Sequence, residues 1–349
     1  MNKKFLLDER IRYFNRGEET QNFGDYLPEL IAHELFLGPR VEADVYRLIG
    51  SVIDIKWLQS DLRFSIGNKA GTIAIWGCGA RNDQIQSESV PDNFLFFGVR
   101  GALTRDVLGL PNSTALGDPG LLLPIFLTPQ KNVRTTGKTI CVKHVHDLRS
   151  DDELLSRSGA DMILSPVVQS NLEALRELID LIVGAEFVLT ASLHAAIIAA
   201  AYNRPFAYWD NGILDIEFKW KDFSSSIGIE TKFNKNVQDG RNFYEKTIKP
   251  SIDIPSLVRI LEVCPFYIKP DYLLKAAVFD GKFENIEIKS TIEFLNKLEP
   301  FSRSIQHESA AQSKFYRASN SSFRVLIARK FGGFIELLKL TIRRVFKIK

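Results

Sequence analysis

His194 and Ser192 are the side chains on which chemistry is most readily placed in this 349-residue sequence. They stand in EFVLTASLHAAIIAAAYNRPFAYW, residues 186–209. An apolar run at 186–190, a turn and a stretch of small helix formers over 195–202 read as strand, turn and helix. Asn203, Arg204 and Pro205 stop that helix before a further strand at 206–209, which completes a βαβ unit. Open parallel sheets bind ligands at the carboxyl ends of their strands, where the amides and positive end of the following helix attract anions. His194, in the first helical turn, can face such an anion. The alternative is that Thr190 or Ser192 caps the helix and His194 is a hydrogen-bonded residue at its end.

Arg100 stands in the same relation to another strand. FFGVRGALTRDVLG places it at the carboxyl end of a strand at 94–98, before a helix over 102–108 that carries Arg105 on its surface. Upstream, a strand at 71–76 runs into GCGARN, where Gly77 and Gly79 form half of a dinucleotide fingerprint and mark a close approach to the backbone. Arg81, just beyond, either pairs with a ligand or is solvated. Asn22, Gly24 and Asp25 precede a helix expected over 26–37, with Asp25 as its cap and Pro28 in the first turn. They either hold a hydroxylated ligand or form an ordinary loop and cap. Asp118, in ALGDPGLLLP, is a turn former or a partner for an acceptor hydroxyl. HVHD at 144–147 puts His144 and His146 on one face of a strand. With five histidines in the chain, among them the remote His33 and His307, the three ligands of a catalytic zinc are not assembled, and no metal is expected. His144 then reads as a ligand contact or as a buried histidine with a local partner.

The elements that must position these residues follow an α/β alternation. After a strand at 11–14 come the helix at 26–37, an apolar run at 46–53 and the strands and helix already named. Residues 128–138, TPQKNVRTTGK, break the pattern with Pro, Gly, Thr, Asn and three basic residues. A second alternation follows: strand 139–144, helix 151–156, strand 161–164, and a helix at 171–183 with Leu172, Leu175, Leu178, Ile179 and Ile182 on one stripe. The expected organisation is therefore two Rossmann-like halves facing across a cleft. Residues 1–127 and 139–265 form the halves, 128–138 the linker and 266–349 a C-terminal extension. Trp220 and Phe223, near the cleft, either stack on a sugar ring or belong to the core.

Composition narrows the classes of function. The chain is 45% hydrophobic and 25% charged with a formal charge of +3, which fits a globular protein and gives no basic footprint for nucleic acid. Three scattered cysteines without CxxC spacing fit a reducing compartment. With no signal peptide and no long apolar run, the expected location is cytoplasmic. Residues 322–349 carry eight Lys or Arg against one Glu among Phe, Leu, Ile and Val. A basic helix there suits an anionic membrane surface, or packs its apolar stripe on the body with its charges in water.

NFGD at 22–25, IWGCGARN at 75–82, FFGVRGALTRDVLG at 96–109, LGDPGLLLP at 116–124, His144 and TASLHAAI together resemble the polysaccharide pyruvyltransferases. The likeness is strongest to the bacterial exopolysaccharide ketal-pyruvate transferases and covers residues 10–230. It implies a GT-B-like pair of domains and transfer of pyruvate from phosphoenolpyruvate, the co-substrate, to two hydroxyls of a glycan or lipid-linked oligosaccharide, with loss of phosphate and no cofactor. It also implies His194 as the acid or base, an imidazole near its ordinary value of about 6.5 being suited to proton transfer. Ser192, Leu193, Arg100, His144, Arg81 and Lys143 would bind the donor, and Asn22, Gly24, Asp25 and Asp118 the acceptor. Many relatives carry arginine two places before the histidine, where this chain has Ser192, so Arg81, Arg100 or Lys143 would supply that charge. A GT-B glycosyltransferase using a nucleotide sugar and a non-catalytic glycan-binding protein are the alternatives.

Overall fold

The computed structural model describes residues 9–14, 17–63, 71–85, 90–130, 133–213 and 216–281, all within one compact unit. The basic segment at 322–349 lies outside the described residues. Among the described residues no helix is long and apolar enough to cross a membrane.

The chain opens with β1 (Thr20–Asn22), α1 (Phe23–Leu35), β2 (Phe36–Pro39), β3 (Val45–Arg47), α2 (Ile55–Arg63), β4 (Ile73–Ile75), β5 (Phe94–Phe96) and α3 (Ala102–Val107). A 3-10 helix, Pro119–Ile125, follows. β6 (Thr139–Val142), α4 (Asp151–Ser158), β7 (Met162–Leu164), β8 (Val167–Gln169), α5 (Leu172–Gly184), β9 (Phe187–Thr190), α6 (Leu193–Ala201) and β10 (Phe206–Trp209) come next. The remainder is α7 (Glu217–Ser226), β11 (Phe233–Asn234), α8 (Val237–Phe243), which runs through a wide turn into α9 (Lys249–Ser251), then α10 (Leu257–Glu262), β12 (Phe266–Ile268) and α11 (Pro270–Phe279).

Two parallel sheets carry the α/β architecture. One is β3-β4-β5; the other has the order β11-β10-β9-β6-β7. Strands β6, β9 and β10 are buried along their whole length, which is why they read as continuous apolar runs rather than alternating ones. In the larger sheet the chain steps from β6 outward to β7, then returns to the other side of β6 as β9 and continues to β10 and β11. The direction of winding reverses between β6 and β9, so their carboxyl ends bound a crevice of the kind in which doubly wound sheets hold ligands. His194 and His144 follow those two ends.

Several elements tie the first sheet's surroundings to the second's. β1 pairs antiparallel with β8, and β12 with β2. The indole Nε1 of Trp76 donates to the Ile260 carbonyl at 3.0 Å. The described part of 128–138 docks on α5, where Thr135 Oγ1 donates to the Leu181 carbonyl at 2.6 Å and Gln130 N to Asp180 Oδ1 at 3.0 Å.

Two local expectations are corrected and two open alternatives are decided. The strand at 11–14 reduces to one bridge, Ile11 to Tyr46, in which Arg12 N donates to the Tyr46 carbonyl and Tyr46 N to the Arg10 carbonyl, both at 2.9 Å. Helix α1 starts three residues early and Asn22, not Asp25, is its cap, accepting from Gly24 N at 3.4 Å. Helix α6 begins at Leu193 because Ser192 is already its extended N-cap, and it ends where Asn203 takes a φ of 53°, a conformation asparagine tolerates. Trp220 and Phe223 are buried in the core and offer no face to a sugar.

Candidate functional site

Three helix N-termini meet at His194. Its own helix, α6, has no side-chain cap; Thr190 Oγ1 instead staples the turn, accepting from Ser192 N and donating to the Ser192 carbonyl, both at 2.9 Å. The N-terminus of α1 lies against the imidazole: a Cβ on Gly24 would overlap the ring on its Nδ1 side, so only glycine fits there. Phe23 meets the ring edge to face at 6.4 Å. Asp118, the N-cap of the 3-10 helix, closes the third side. Its Oδ1 accepts from Gly120 N at 2.8 Å, and its Oδ2 lies 3.9 Å from His194 Nε2. Both of those facing atoms are buried and have no hydrogen-bond partner among the described residues. Ser192 and Leu193 sit beside them at the helix start, Leu193 buried.

Arg100 is brought close by an independent set of bonds. It is 1% exposed, donates from Nε to Asp222 Oδ2 at 3.0 Å and from Nη1 to Ser51 Oγ at 2.7 Å, and packs its guanidinium on Gly79. Asp222 also accepts from Thr104 N at 2.8 Å and Thr104 Oγ1 at 2.7 Å, which fixes α7 to the start of α3. The arginine's charge therefore reaches the site while its donors are held by the protein. Gly77, at φ 70°, makes room for the Pro119 ring and so sets the approach of Asp118.

The electrostatics move the histidine away from its ordinary value. Burial, then the charges of Arg100 and Lys219, lower the His194 imidazole to about 3. Burial raises Asp118 to about 6 against the pull of the Gly120 N–H and Arg100. It raises Asp25, in the first turn of α1, to about 6 as well, although Lys219, an Asn22 hydrogen bond and Arg81 oppose it. The two carboxyls are thus the groups that titrate nearest neutrality, and the imidazole is an uncharged base.

The remaining expected residues divide by position. Arg81 acts on Asp25 through its charge and contacts Asp54 at 3.6 Å and the Ser51 carbonyl at 3.5 Å. His144 is buried just past β6, at the same sheet edge as Ser192, and its Nδ1 accepts from His146 N at 3.2 Å. Lys143 instead pairs with Asp151 on α4 at 3.3 Å. Lys219 and Asp222 were not among the expected residues. No spacing signals them, since Asp222 lies 122 positions from the arginine it holds. Among the described residues no three His, Cys, Asp or Glu side chains group as a metal site.

A family model described as polysaccharide pyruvyl transferase matches residues 22–211, more than half of the chain. The matched span includes Asn22, Gly24, Asp25, Arg100, Asp118 and His194 and ends before Lys219 and Asp222. No curated protein matches the chain.

Proposed function

The chain belongs to the polysaccharide pyruvyl transferase family, and on that premise we propose that its donor is phosphoenolpyruvate and its product a cyclic pyruvate ketal on a glycan, with release of phosphate. The observation that carries this reading is the meeting of three helix N-termini around an uncharged imidazole that feels Arg100 and Lys219. A donor bearing phosphate and carboxylate suits that field. Its charge would also raise the His194 pKa, so the imidazole becomes a proton carrier when the donor arrives. His194 is the catalytic group in this proposal. The Ser192–Leu193 backbone and Arg100 bind the donor with support from Arg81 and His144. Asn22 and Asp25, beside Gly24, face the acceptor, and no cofactor takes part.

The two parallel sheets support a pair of Rossmann-like lobes, 1–127 and 139–265, in a GT-B-like arrangement. The acceptor in this reading is a polysaccharide or its lipid-linked precursor, handled in the cytoplasm. The basic segment 322–349 would hold the enzyme to the inner leaflet, where each cation near anionic lipid contributes about 1 kcal/mol. Loss of sedimentation with anionic liposomes after truncation at Ser321 checks that step.

The deciding assay incubates the purified protein with phosphoenolpyruvate and a panel of oligosaccharides. Phosphate release should require the acceptor, and the glycan should gain the mass of a pyruvate ketal. Consumption of a nucleotide sugar instead, or glycan binding with no phosphate release in the presence of any acceptor, overturns the proposal.

A further inference from the structure

Two buried polar atoms face one another at the centre of the site. His194 Nε2 and Asp118 Oδ2 are both without hydrogen-bond partners among the described residues, and they stand 3.9 Å apart. Folded proteins seldom leave such atoms unpaired, and where they do the vacancy asks for an explanation. The gap exceeds a normal N–H to O distance by about 1 Å, so a small rotation of the ring closes it. The carboxylate is anchored for this by its other oxygen, which is held by Gly120 N. The ring is confined on its opposite edge by Gly24 and Phe23.

We propose that Asp118 and His194 hold one mobile proton between them, with Asp118 as the positioning residue that, through Nε2, sets the proton the imidazole exchanges with substrate. The inference rests on the transfer reaction proposed above. Formation of a ketal removes one proton from each of two acceptor hydroxyls. One proton goes to the methylene carbon of the donor, which becomes a methyl group, and the other leaves with the phosphate. Two C–O bonds form at the central carbon, and its bond to the phosphate oxygen breaks. The enzyme therefore ends with the protons it began with, and what it needs is a site that both gives and accepts one. An imidazole backed by a carboxyl meets that need, since either partner can carry the proton while the other stays neutral or compensates its charge.

The groups facing the pair are consistent with a single shared proton. Arg100 and Lys219 oppose a charged imidazole, and Arg100 is itself balanced by Asp222. Asp25, in the first turn of α1, is raised to about 6 by burial and so adds little negative charge only below that pH. Asp222 opposes ionisation of Asp118, whereas Arg100 favours it.

Asp118→Asn is the informative variant, because its amide oxygen can still cap the 3-10 helix through Gly120 N while the proton is lost. The variant should keep its KM for phosphoenolpyruvate and lose about 100-fold or more in kcat, within the range of general acid–base catalysis. It should also lose the acidic limb of the kcat profile, and Asp118→Glu should recover part of the rate. In parallel, 15N spectra of the His194 ring should show a titration step near pH 6 in the native protein, where Asp118 takes up its proton, and none in Asp118→Asn. A native-like kcat and pH profile in Asp118→Asn overturns the shared proton while leaving the transferase reading intact. Should the native protein release no phosphate from phosphoenolpyruvate with any acceptor, that reading fails instead. The ring titration then decides the pair alone: an unchanged step in Asp118→Asn removes it.

Discussion

Two buried pairs in this protein use the same chemistry to opposite ends. Arg47 on β3 and Asp61 on α2 form a closed pair: Arg47 Nε donates to Asp61 Oδ2 at 2.9 Å, its Nη2 bonds the other oxygen, and the guanidinium lies over Trp57 at 5.8 Å. Asp118 and His194 form an open one, whose facing atoms are buried and without hydrogen-bond partners among the described residues. In the first, the attraction and hydrogen bonds are complete, so the pair can only hold shape. In the second, burial costs are met without their usual compensation, and the result is a shift of both proton affinities. The difference teaches that a buried charge pair signals function when its bonds are left incomplete.

Breaking each pair should separate stability from turnover. Arg47→Ala leaves the Asp61 carboxylate buried and alone, and should lower the unfolding free energy by about 3–5 kcal/mol in urea titrations while the activity of the folded fraction is unchanged. His194→Ala should abolish turnover with the urea midpoint at pH 7 little altered. If Arg47→Ala loses turnover without stability, the contrast collapses.

A smaller effect is expected from the glycine that confines the open pair. Gly24→Ala would set a methyl group against the imidazole, and the resulting strain should cost about 1–3 kcal/mol. Because the ring must move, turnover should fall further than stability alone explains, whereas Gly137→Ala, at a glycine with open space around it but a φ of 71°, should cost stability only.

The smallest effect sharpens the comparison through pH. His194 has its folded pKa depressed to about 3, so its contribution is complete above its ordinary value of 6.5 and is lost as pH falls toward 3. Asp25 and Asp118 are raised to about 6, so theirs is complete below 3.8 and is lost as pH rises through 6. Acidification from pH 7 to 5 therefore destabilises through the histidine and stabilises through the carboxyls. His194→Gln removes the first effect and should gain about 2 kcal/mol on the native protein across that interval, measured by urea titration at each pH. Parallel pH curves for native protein and His194→Gln would show that the imidazole is not buried.

Much of the site's scaffolding was legible in the residues. The βαβ unit around 186–209, the stripe of α5, and the α/β alternation follow from period and punctuation, which act over a few residues. The stop at Asn203 is a case in point, a local turn read from a local triplet. The cap of α1 was misjudged by three residues because Asn22 and Asp25 are both good caps, and only the bond to Gly24 N chooses between them. Trp220 and Phe223 were ambiguous because aromatic spacing on α7 says nothing about what covers them. Lys219 and Asp222 were illegible for a stronger reason: their partners lie on segments with which they share no sequence neighbourhood.

By itself the sequence determined the types of the elements and the placing of His194 in the first turn of α6 beyond a buried strand. Both depend on backbone propensity and on which side chains are apolar, and those properties belong to short stretches. Tertiary structure alone decided that Gly24 and Asp118 meet His194 and that the charge of Arg100 reaches them, and with that the direction of every proton affinity at the site. Desolvation and neighbouring charge are set by segments far apart in the chain, and no local pattern carries their sum.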